Sequence, residues 1–406
     1  MSEHFVIINQ FYESKKIGGG SIFLESIIKS LLSSGKTVTQ ISIVIDKMDI
    51  KKNYINKKEF SNIILNSNLN AFQEIIKKWK YDEDLTKKIK SIISKKEGNI
   101  LFFGYEVLSL INLKSLKQFK TTIVLGDPYH EVTKEGLKNY FNSRLFKDAL
   151  KKINFFKILK IILVYFLTYL KWRSITNRLK FYDQVVCFSP YHHKWYKKFN
   201  IKTFYFPAPV FKNKIKVTHN LILKKIKKKN KKILFISKNL SGTASKNGLK
   251  NLLNLIDQEL EVFLESKNIK IEICGGNFPK DLKKLFFSKR VFIYKEFINL
   301  DLVHEDYYLH LNTIDQKLGA RTRIITCFSY GIPSISHKKA RFGIPFLENK
   351  NSGAFLYEKK ETFKQLLIKI INDNFLYLEN CTNGYKIYKQ KFLPDKFIEN
   401  ILSLKS

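Results

Sequence analysis

The residue types best suited to binding a phosphate group occur together in one window of the sequence, residues 315–346. The chain has 73 Lys and Arg residues, only seven of which are Arg, and three of the seven lie in this window: Arg321, Arg323 and Arg341. A guanidinium is a planar fork that can bind two phosphate oxygens at once, which a Lys ammonium cannot do. Gly319 allows close backbone approach, and a helix beginning near Thr322 would point free N–H groups at an anion. The window therefore predicts an anion site; the alternative is solvated surface arginines.

A second polar cluster, Gly126 to Glu131, follows the apolar run at 122–125. The carboxyl end of a parallel strand is where such sheets bind ligands. Asp127 and His130 are therefore candidates for contacting a polar ligand, the alternative for His130 being an ordinary loop residue. His192 and His193 do not predict a metal site, because adjacent helical residues point in different directions and no third ligand is nearby in sequence. We therefore expect no metal. The sequence also lacks a Walker loop, and the Gly-rich loop at 18–20 does not make a dinucleotide fingerprint, so we expect no cofactor.

The N-terminal half has the pattern of a doubly wound sheet. Phe5 to Asn9 is a short apolar run typical of a buried parallel strand, followed by a loop with Gly18, Gly19 and Gly20. A helix over 21–33 and a strand over 38–45 come next, which is the opening unit of a Rossmann-like domain. Further strands are predicted by the apolar runs at 100–103, 122–125 and 184–188.

The same pattern restarts after a charge-rich stretch at 211–232, where we place the domain boundary. The predicted elements of the second half are a strand at 233–236, a polar loop at 237–248, a helix at 249–264, strands at 271–274 and 291–294, a helix at 322–330 and a strand at 334–336. The prediction is an α/β protein with two Rossmann-like domains facing each other across a cleft. The N-terminal domain covers 1–215, the C-terminal domain 216–385, and a C-terminal helix at 386–406 packs back on the N-terminal domain.

Composition narrows the class of protein. The chain is 44% hydrophobic and 14% aromatic, which supports a packed core and excludes a disordered or collagen-like chain. Its four Cys are scattered, as expected in a reducing compartment. The first residues lack the basic region and longer apolar run of a signal peptide, so we expect a cytoplasmic protein. The net charge of +38 comes from Lys spread over the whole chain, which favours a diffuse attraction to anionic surfaces over nucleic-acid binding.

The segment 150–180 differs from the rest. Ile161 to Leu170 is an uncharged apolar run, but ten residues cannot cross a bilayer. Lys157, Lys160 and Lys171 recur near one face at helical spacing, which is typical of a basic amphipathic helix lying in a membrane interface. The alternative is a buried helix whose Lys side chains extend to solvent. The first reading would place the protein on the inner face of the cell membrane.

Several C-terminal motifs resemble those of the retaining GT-B glycosyltransferases of family 4, group 1. The similar segments are the Gly loop and helix at 319–325, the turn Ser329-Tyr330-Gly331-Ile332-Pro333, the second Gly loop at 341–345, the strand and polar loop from Ile233, and the Gly-ended strand at 273–276. The resemblance covers nearly the whole chain, though only generically in its N-terminal half. It implies a nucleotide-diphospho-sugar donor, a glycan or lipid-linked acceptor, and metal-independent transfer for polysaccharide, lipopolysaccharide or glycoprotein glycans.

The resemblance also implies roles for individual residues. The expected catalytic residues are Arg321, Arg323 and Lys246, with Asp127 and His130 in the N-terminal domain. The expected donor-binding residues are Gly19, Gly20, Lys238, Gly242, Gly275, Gly319, Thr322, Thr326, Arg341 and Gly343. One feature departs from the family: its two acidic residues, eight positions apart, correspond here to Leu318 and Thr326. A non-catalytic relative that binds a glycan or a partner, a nucleotide-sugar epimerase, a phosphorylase and a basic nucleic-acid-binding protein are therefore kept as alternatives.

Overall fold

The computed structural model describes residues 3–10, 19–44, 56–57, 59–66, 82–95, 98–126, 155–210, 216–296, 306–317, 319–349 and 351–404. The chain forms two compact units, one of Met1–Ile17 with Ile27–Phe206 and one of Gly18–Ser26 with Pro207–Ser406. No helix in the described ranges is both long and apolar enough to cross a membrane.

The N-terminal unit is built on one eight-stranded sheet. Its strands are β1 His4–Gln10, β2 Thr37–Val44, β3 Asn56–Lys57, β4 Phe60–Asn66, β5 Asn99–Phe103, β6 Thr121–Leu125, β7 Gln184–Cys187 and β8 Thr203–Tyr205. The order is β3-β4-β2-β1-β5-β6-β7-β8, and every neighbouring pair is parallel except β3 with β4. The central strands are apolar on both faces, as Val6, Ile7 and Ile8 show, because helices cover both sides of a parallel sheet.

Within the described ranges, five helices accompany this sheet: α1 Gly19–Ser33, α2 Glu83–Ile93, α3 Tyr105–Leu110, α4 Phe155–Asn177 and α5 Pro190–Lys197. Local signals set where they begin. Asp82 precedes α2 and accepts a hydrogen bond from the N–H of Leu85 (2.9 Å), which satisfies one donor of the first turn. The first residues of α1 group with the C-terminal unit, where Phe23 packs edge-on against Phe397 with 5.8 Å between ring centroids.

The C-terminal unit contains a six-stranded sheet in which all neighbours are parallel. Its strands are β9 Lys231–Asn239, β10 Ile269–Gly276, β11 Phe292–Lys295, β12 Leu309–Asn312, β13 Ser334–His337 and β14 Ala354–Tyr357. Its helices are α6 His219–Lys227, α7 Thr243–Leu255, α8 Gln258–Ser266, α9 Lys280–Phe287, α10 Thr322–Ser329, α11 Lys360–Asn372, α12 Asn374–Lys391 and α13 Pro394–Ser403. The strand order is β11-β10-β9-β12-β13-β14.

The structure confirms the predicted α/β fold with two Rossmann-like sheets. The single helix predicted at 249–264 is wrong: α7 ends at Leu255, and Asp257 caps a separate α8 by accepting from the N–H of Leu260 (3.0 Å). The charge-rich stretch at 211–232 contains α6, which is held by burial of Ile222. The predicted C-terminal helix at 386–406 corresponds to the end of α12 together with α13.

Candidate functional site

The topology of the C-terminal sheet marks one edge as a ligand-binding position. The chain runs from β9 outward through β10 and β11, and then continues on the other side of β9 with β12, β13 and β14. Ligands of open α/β sheets bind at such a reversal, beside the carboxyl ends of the strands. The register places Asn239 beside Gly276 and Asn312 beside Ser336 along this edge. The site is therefore assembled from the segments that follow β9, β10, β12 and β13.

Gly275 lets two of these segments approach closely. It occupies a bulge between β9 and β10 with φ of +147°, a conformation that other residues rarely adopt. A Cβ at this position would lie 1.7 Å from the carbonyl oxygen of Ser237. The N–H of Leu240 then donates to the carbonyl of Gly276 (2.9 Å), which holds the loop after β9 against the end of β10.

The loop after β9 carries the predicted Lys238, Gly242 and Lys246. Lys238 is exposed, and Gly242 precedes α7, whose Ser245 hydroxyl is hydrogen-bonded to that of Ser237 (2.5 Å). The ammonium of Lys246 pairs with the carboxylate of Asp281 on α9 (2.8 Å). This pair is largely exposed, and Lys246 holds the pKa of Asp281 below its usual range. A phosphate at this position would therefore compete with Asp281 for Lys246.

The segment from Thr313 to Arg321 leads from β12 into α10 and is held on both sides. Thr313 donates to the carbonyl of Gly248 on α7 (2.5 Å). On the other side, Gly343 lies directly on the backbone of the segment, since a Cβ there would be 2.2 Å from the carbonyl oxygen of Gly319. The two predicted glycines, Gly319 and Gly343, therefore pack against each other, and Gly319 itself has φ of +96°.

Arg321 is buried and binds the backbone of the segment between β12 and α10. It precedes α10 in the left-handed conformation, with φ of 52° and ψ of 35°. Its guanidinium donates to the carbonyl of Gln316 and is only 7% exposed. A buried Arg that binds the loop carbonyl five residues earlier fixes the shape of the segment, so the geometry gives Arg321 a positioning role.

Arg323 lies in the first turn of α10 and has a different environment. The described residues offer no hydrogen-bond partner to its Nη1, which is shielded from solvent. Burial lowers the pKa of Arg323 to about 10, so the side chain stays charged at neutral pH. Burial first, and then the charge of Arg323, lower the pKa of His310 on β12 to about 3, so this imidazole is neutral. Arg323 is therefore a cation beside the N-terminus of α10, where helix geometry also favours an anion.

Two uncharged side chains next to the reversal were not predicted from the sequence. Asn312, the last residue of β12, is 1% exposed, and in the described part of the chain neither its Oδ1 nor its Nδ2 has a hydrogen-bond partner. Gln316 is buried, and its Nε2 also lacks a partner within the described ranges. Buried amides are nearly always hydrogen-bonded in folded proteins, so these groups are available to bind a ligand or water. The only sequence signal was a pair of polar residues in a short segment whose other two residues are Leu.

The far side of the same edge carries His337, which is paired in register with Tyr357. The two rings pack edge to face with 5.4 Å between centroids, and Nδ1 of His337 accepts from the N–H of Lys339 (3.3 Å). Burial lowers the pKa of His337, while the nearby carboxylate of Asp315 acts in the opposite direction. The hydroxyl of Tyr357 is buried with no partner among the described side chains. These groups extend the polar row from β12 to β14.

The remaining predicted residues lie outside this row or serve their own elements. Thr322 opens α10, and its carbonyl accepts from the hydroxyl of Thr326 (3.0 Å). Arg341 is partly exposed and pairs with Glu348 (2.6 Å), as in a surface ion pair. Gly19 and Gly20 begin α1, and Asp127, His130 and Leu318 lie outside the described residues.

His192 and His193, which follow one another in α5, have different surroundings. His192 is buried, while Nδ1 of His193 is hydrogen-bonded to the hydroxyl of Thr203 (2.7 Å). Within the described ranges, no three His, Cys, Asp or Glu side chains are grouped so that they could hold a metal ion.

Comparison with known proteins identifies the fold. No family model matches the sequence, and no curated protein matches it. Sucrose-phosphate synthase from Thermosynechococcus elongatus matches with a TM-score of 0.69 at 11% identity, covering 99% of this chain and 98% of that one. Anabaena HepE, solved in complex with UDP and glucose, matches with a TM-score of 0.65 at 12% identity over 99% of both chains. WaaG, a glycosyltransferase involved in lipopolysaccharide biosynthesis, matches with a TM-score of 0.62 at 11% identity, covering 97% of this chain and 98% of that one. The chain therefore has the two-domain GT-B fold.

Proposed function

We propose that this protein is a retaining, metal-independent glycosyltransferase that moves a sugar from a nucleotide-diphospho-sugar to a glycan or lipid-linked acceptor. The observation that carries the proposal is the row of buried polar groups at the reversal of the C-terminal sheet for which the described residues offer no hydrogen-bond partner. Arg323, Asn312 and Gln316 together offer a charged donor and two amides. A nucleoside diphosphate linked to a sugar presents the matching anion and hydroxyls. The GT-B fold, shared with a structure that holds UDP and glucose, supports the same ligand class.

The diphosphate is assigned to the start of α10. Arg323 supplies a charge there, and the first N–H groups of the helix have no acceptor within the helix. Lys238 and Lys246 from the loop after β9 add cations on the neighbouring strand end, once Lys246 leaves Asp281. Arg321 holds the loop in shape through Gln316. Preorganised charges of this kind stabilise the leaving group without reorganising during the reaction.

The reaction requires one bond to break and one to form at the anomeric carbon. The bond between this carbon and the donor diphosphate breaks, and the diphosphate leaves with the bonding electron pair. An acceptor hydroxyl forms the new glycosidic bond on the same face, and its proton passes to an oxygen of the leaving diphosphate. Arg323 and the helix terminus would stabilise the negative charge that develops on the diphosphate.

The test is binding and turnover of nucleotide sugars by the full chain. Calorimetry with UDP, UDP-glucose, GDP and ADP should show binding of at least one nucleoside diphosphate, and that nucleotide's sugar should be hydrolysed or transferred. Asn312→Ala and Arg323→Gln should each weaken binding roughly 10- to 100-fold, the loss expected for a hydrogen bond to a charged group. The matched control is Arg290→Gln: Arg290 is exposed and lies before β11, at the amino edge of the same sheet.

The possible outcomes separate the alternatives. Failure of every nucleotide and nucleotide sugar to bind would refute the proposal. Binding without turnover would favour the non-catalytic relative, which the replacement of the family's acidic residue by Thr326 suggests. Equal losses in Arg323→Gln and Arg290→Gln would show that the reversal of the sheet is not the site.

A further inference from the structure

Helix α4 exposes an unusual amount of apolar surface. Its 23 residues run from Phe155 to Asn177, and one side packs on α3 within the N-terminal unit. Phe156 is 84% exposed and Phe166 is 55% exposed. The exposed large apolar side chains on this helix are Phe156, Leu159, Leu163, Val164, Phe166, Leu167 and Leu170. We call this set the α4 stripe.

The spacing of the stripe shows that it forms one continuous face. Phe156, Leu159, Leu163, Phe166 and Leu170 follow one another at intervals of three or four residues, which places them on one side of a helix. The partly buried residues of the helix occupy the intervening positions: Ile158, Ile161, Ile162, Tyr165, Thr168 and Tyr169. The alternative interpretation, a buried helix with only its Lys side chains extending to solvent, therefore does not account for the stripe. An apolar face of this length on a solvent-exposed protein surface indicates an interaction site.

The charge around the stripe determines what kind of partner fits. Between Asp148 and Asp183 the sequence contains no acidic residue and eight basic ones, of which Arg178 is buried and donates to the carbonyl of Leu108. Arg173 and Lys180 are exposed, and the ammonium of Lys114 lies 5.4 Å from the ring centroid of Phe181, which is itself 41% exposed. The partner must therefore be apolar beneath the helix and anionic around it. A second copy of the chain would bring two basic faces together, which costs electrostatic energy.

The stripe follows a single helix, which suits a flat partner. A helix of 23 residues is about 35 Å long, and the stripe runs along it from Phe156 to Leu170. The uncharged run from Ile161 to Leu170 would extend about 15 Å, roughly half the hydrocarbon thickness of a bilayer. Such a helix lies along a membrane surface, with apolar side chains among the acyl chains and cations among the headgroups.

We propose that α4 docks the protein on a membrane surface containing anionic phospholipids. This proposal rests on the proposed function in one respect, the role of the docked enzyme. A glycosyltransferase held at a membrane would meet lipid-linked acceptors. The docking itself follows from the stripe and its charge. Donor chemistry and membrane binding can therefore be measured separately.

The experiment is co-sedimentation of the full chain with two kinds of vesicle, one of phosphatidylcholine alone and one of phosphatidylcholine mixed with phosphatidylglycerol. The protein should bind the mixed vesicles and bind those of phosphatidylcholine alone much more weakly, and added salt should weaken the binding. Leu163→Asp with Phe166→Asp should reduce the partition coefficient at least roughly tenfold. Both side chains are half exposed, so these substitutions leave the core unchanged, whereas Ile162 is partly buried and is a poorer choice.

The matched control changes the same kind of residue elsewhere. Val262 on α8 and Phe375 on α12 are 60% and 77% exposed in the C-terminal unit, so Val262→Asp with Phe375→Asp should leave vesicle binding unchanged. Equal losses in both double variants, or equal binding to both vesicle types, would overturn the proposal. The proposal would also be overturned if light scattering without vesicles showed a dimer that dissociates in the stripe variant but not in the control variant. Donor hydrolysis by the stripe variant in vesicle-free solution should match that of the wild type, so failure of docking is distinguishable from failure of the proposed function.

Discussion

Replacing Gly275 with Ala tests whether the close approach of β9 and β10 shapes the site. The added Cβ would lie 1.7 Å from the carbonyl oxygen of Ser237, about half of a normal carbon–oxygen contact. The two strand ends must therefore separate by roughly 1.5 Å. A non-Gly residue at φ of +147° adds backbone strain. Strain of this kind costs about 1–3 kcal/mol, and forced overpacking costs about as much again.

The sum predicts a loss of about 4 kcal/mol in the stability of the C-terminal unit. For a unit of this size, that lowers the melting temperature by roughly 8–16 °C. The neighbouring Gly276 is the control, because a Cβ there would lie 3.4 Å from the carbonyl oxygen of Lys238, an ordinary contact. Thermal melting of Gly275→Ala and Gly276→Ala measures the loss of stability. Calorimetry with a nucleoside diphosphate that the wild type binds then shows whether the site has changed shape. Equal melting temperatures for the two variants would refute the reasoning.

Three further substitutions in the C-terminal unit test its loops and buried cations. Gly343→Ala should push the loop away from Gly319 and weaken nucleotide binding at least roughly tenfold by calorimetry, while circular dichroism stays native. Burial lowers the pKa of Lys225 from 10.5 to about 8, so the unfolded chain retains this proton to higher pH than the folded protein does. As the pH rises from 8 to 10.5, the free energy of unfolding of the wild type, measured in urea, should therefore increase by up to about 3 kcal/mol relative to that of Lys225→Met. A difference between the two proteins that stays constant over this pH range would contradict the prediction. Arg323→Met should leave the ligand-free protein as stable as wild type or more stable, yet abolish its stabilisation by nucleotide.

Much of the fold follows from apolar runs in the sequence. The segments at Phe5 to Asn9 and Ile233 to Ile236 are continuous and apolar because helices cover both faces of a parallel sheet. The central strand β12 was not predicted, because its segment Leu309–Asn312 alternates apolar residues with His310 and Asn312. Both polar residues are nevertheless fully buried. Polar residues in a buried strand resemble a loop in sequence, and only the sheet around them shows their place.

The sequence singled out the segment at the start of α10, but it did not give the environment of each side chain there. Three arginines in one window indicated an anion site, but their spacing could not show which way each side chain points. Arg341 pairs with Glu348 at the surface, Arg321 turns inward to the carbonyl of Gln316, and Arg323 remains without a partner for Nη1 among the described groups. Arg321 has a left-handed backbone, whereas Arg323 lies in the first turn of α10. Gly343, which lies 24 residues after Gly319, packs on the backbone of Gly319 and Ala320 just before Arg321. The spacing of the arginines in the sequence does not show such a contact.

Arg323 offers a direct way to distinguish a binding residue from a structural one. An arginine that stabilises the fold has partners, and its removal leaves them unpaired and lowers stability. Arg323 has a buried Nη1 that no described residue binds, and burial lowers its pKa to about 10, so the folded protein carries a cost for holding this charge. Replacement by Met removes that cost and fills similar space. The melting temperature without ligand should therefore stay or rise, while the upward shift produced by whichever nucleotide sugar the wild type binds should disappear. A lower melting temperature with that shift intact would identify Arg323 as structural and would remove the main support for the diphosphate site.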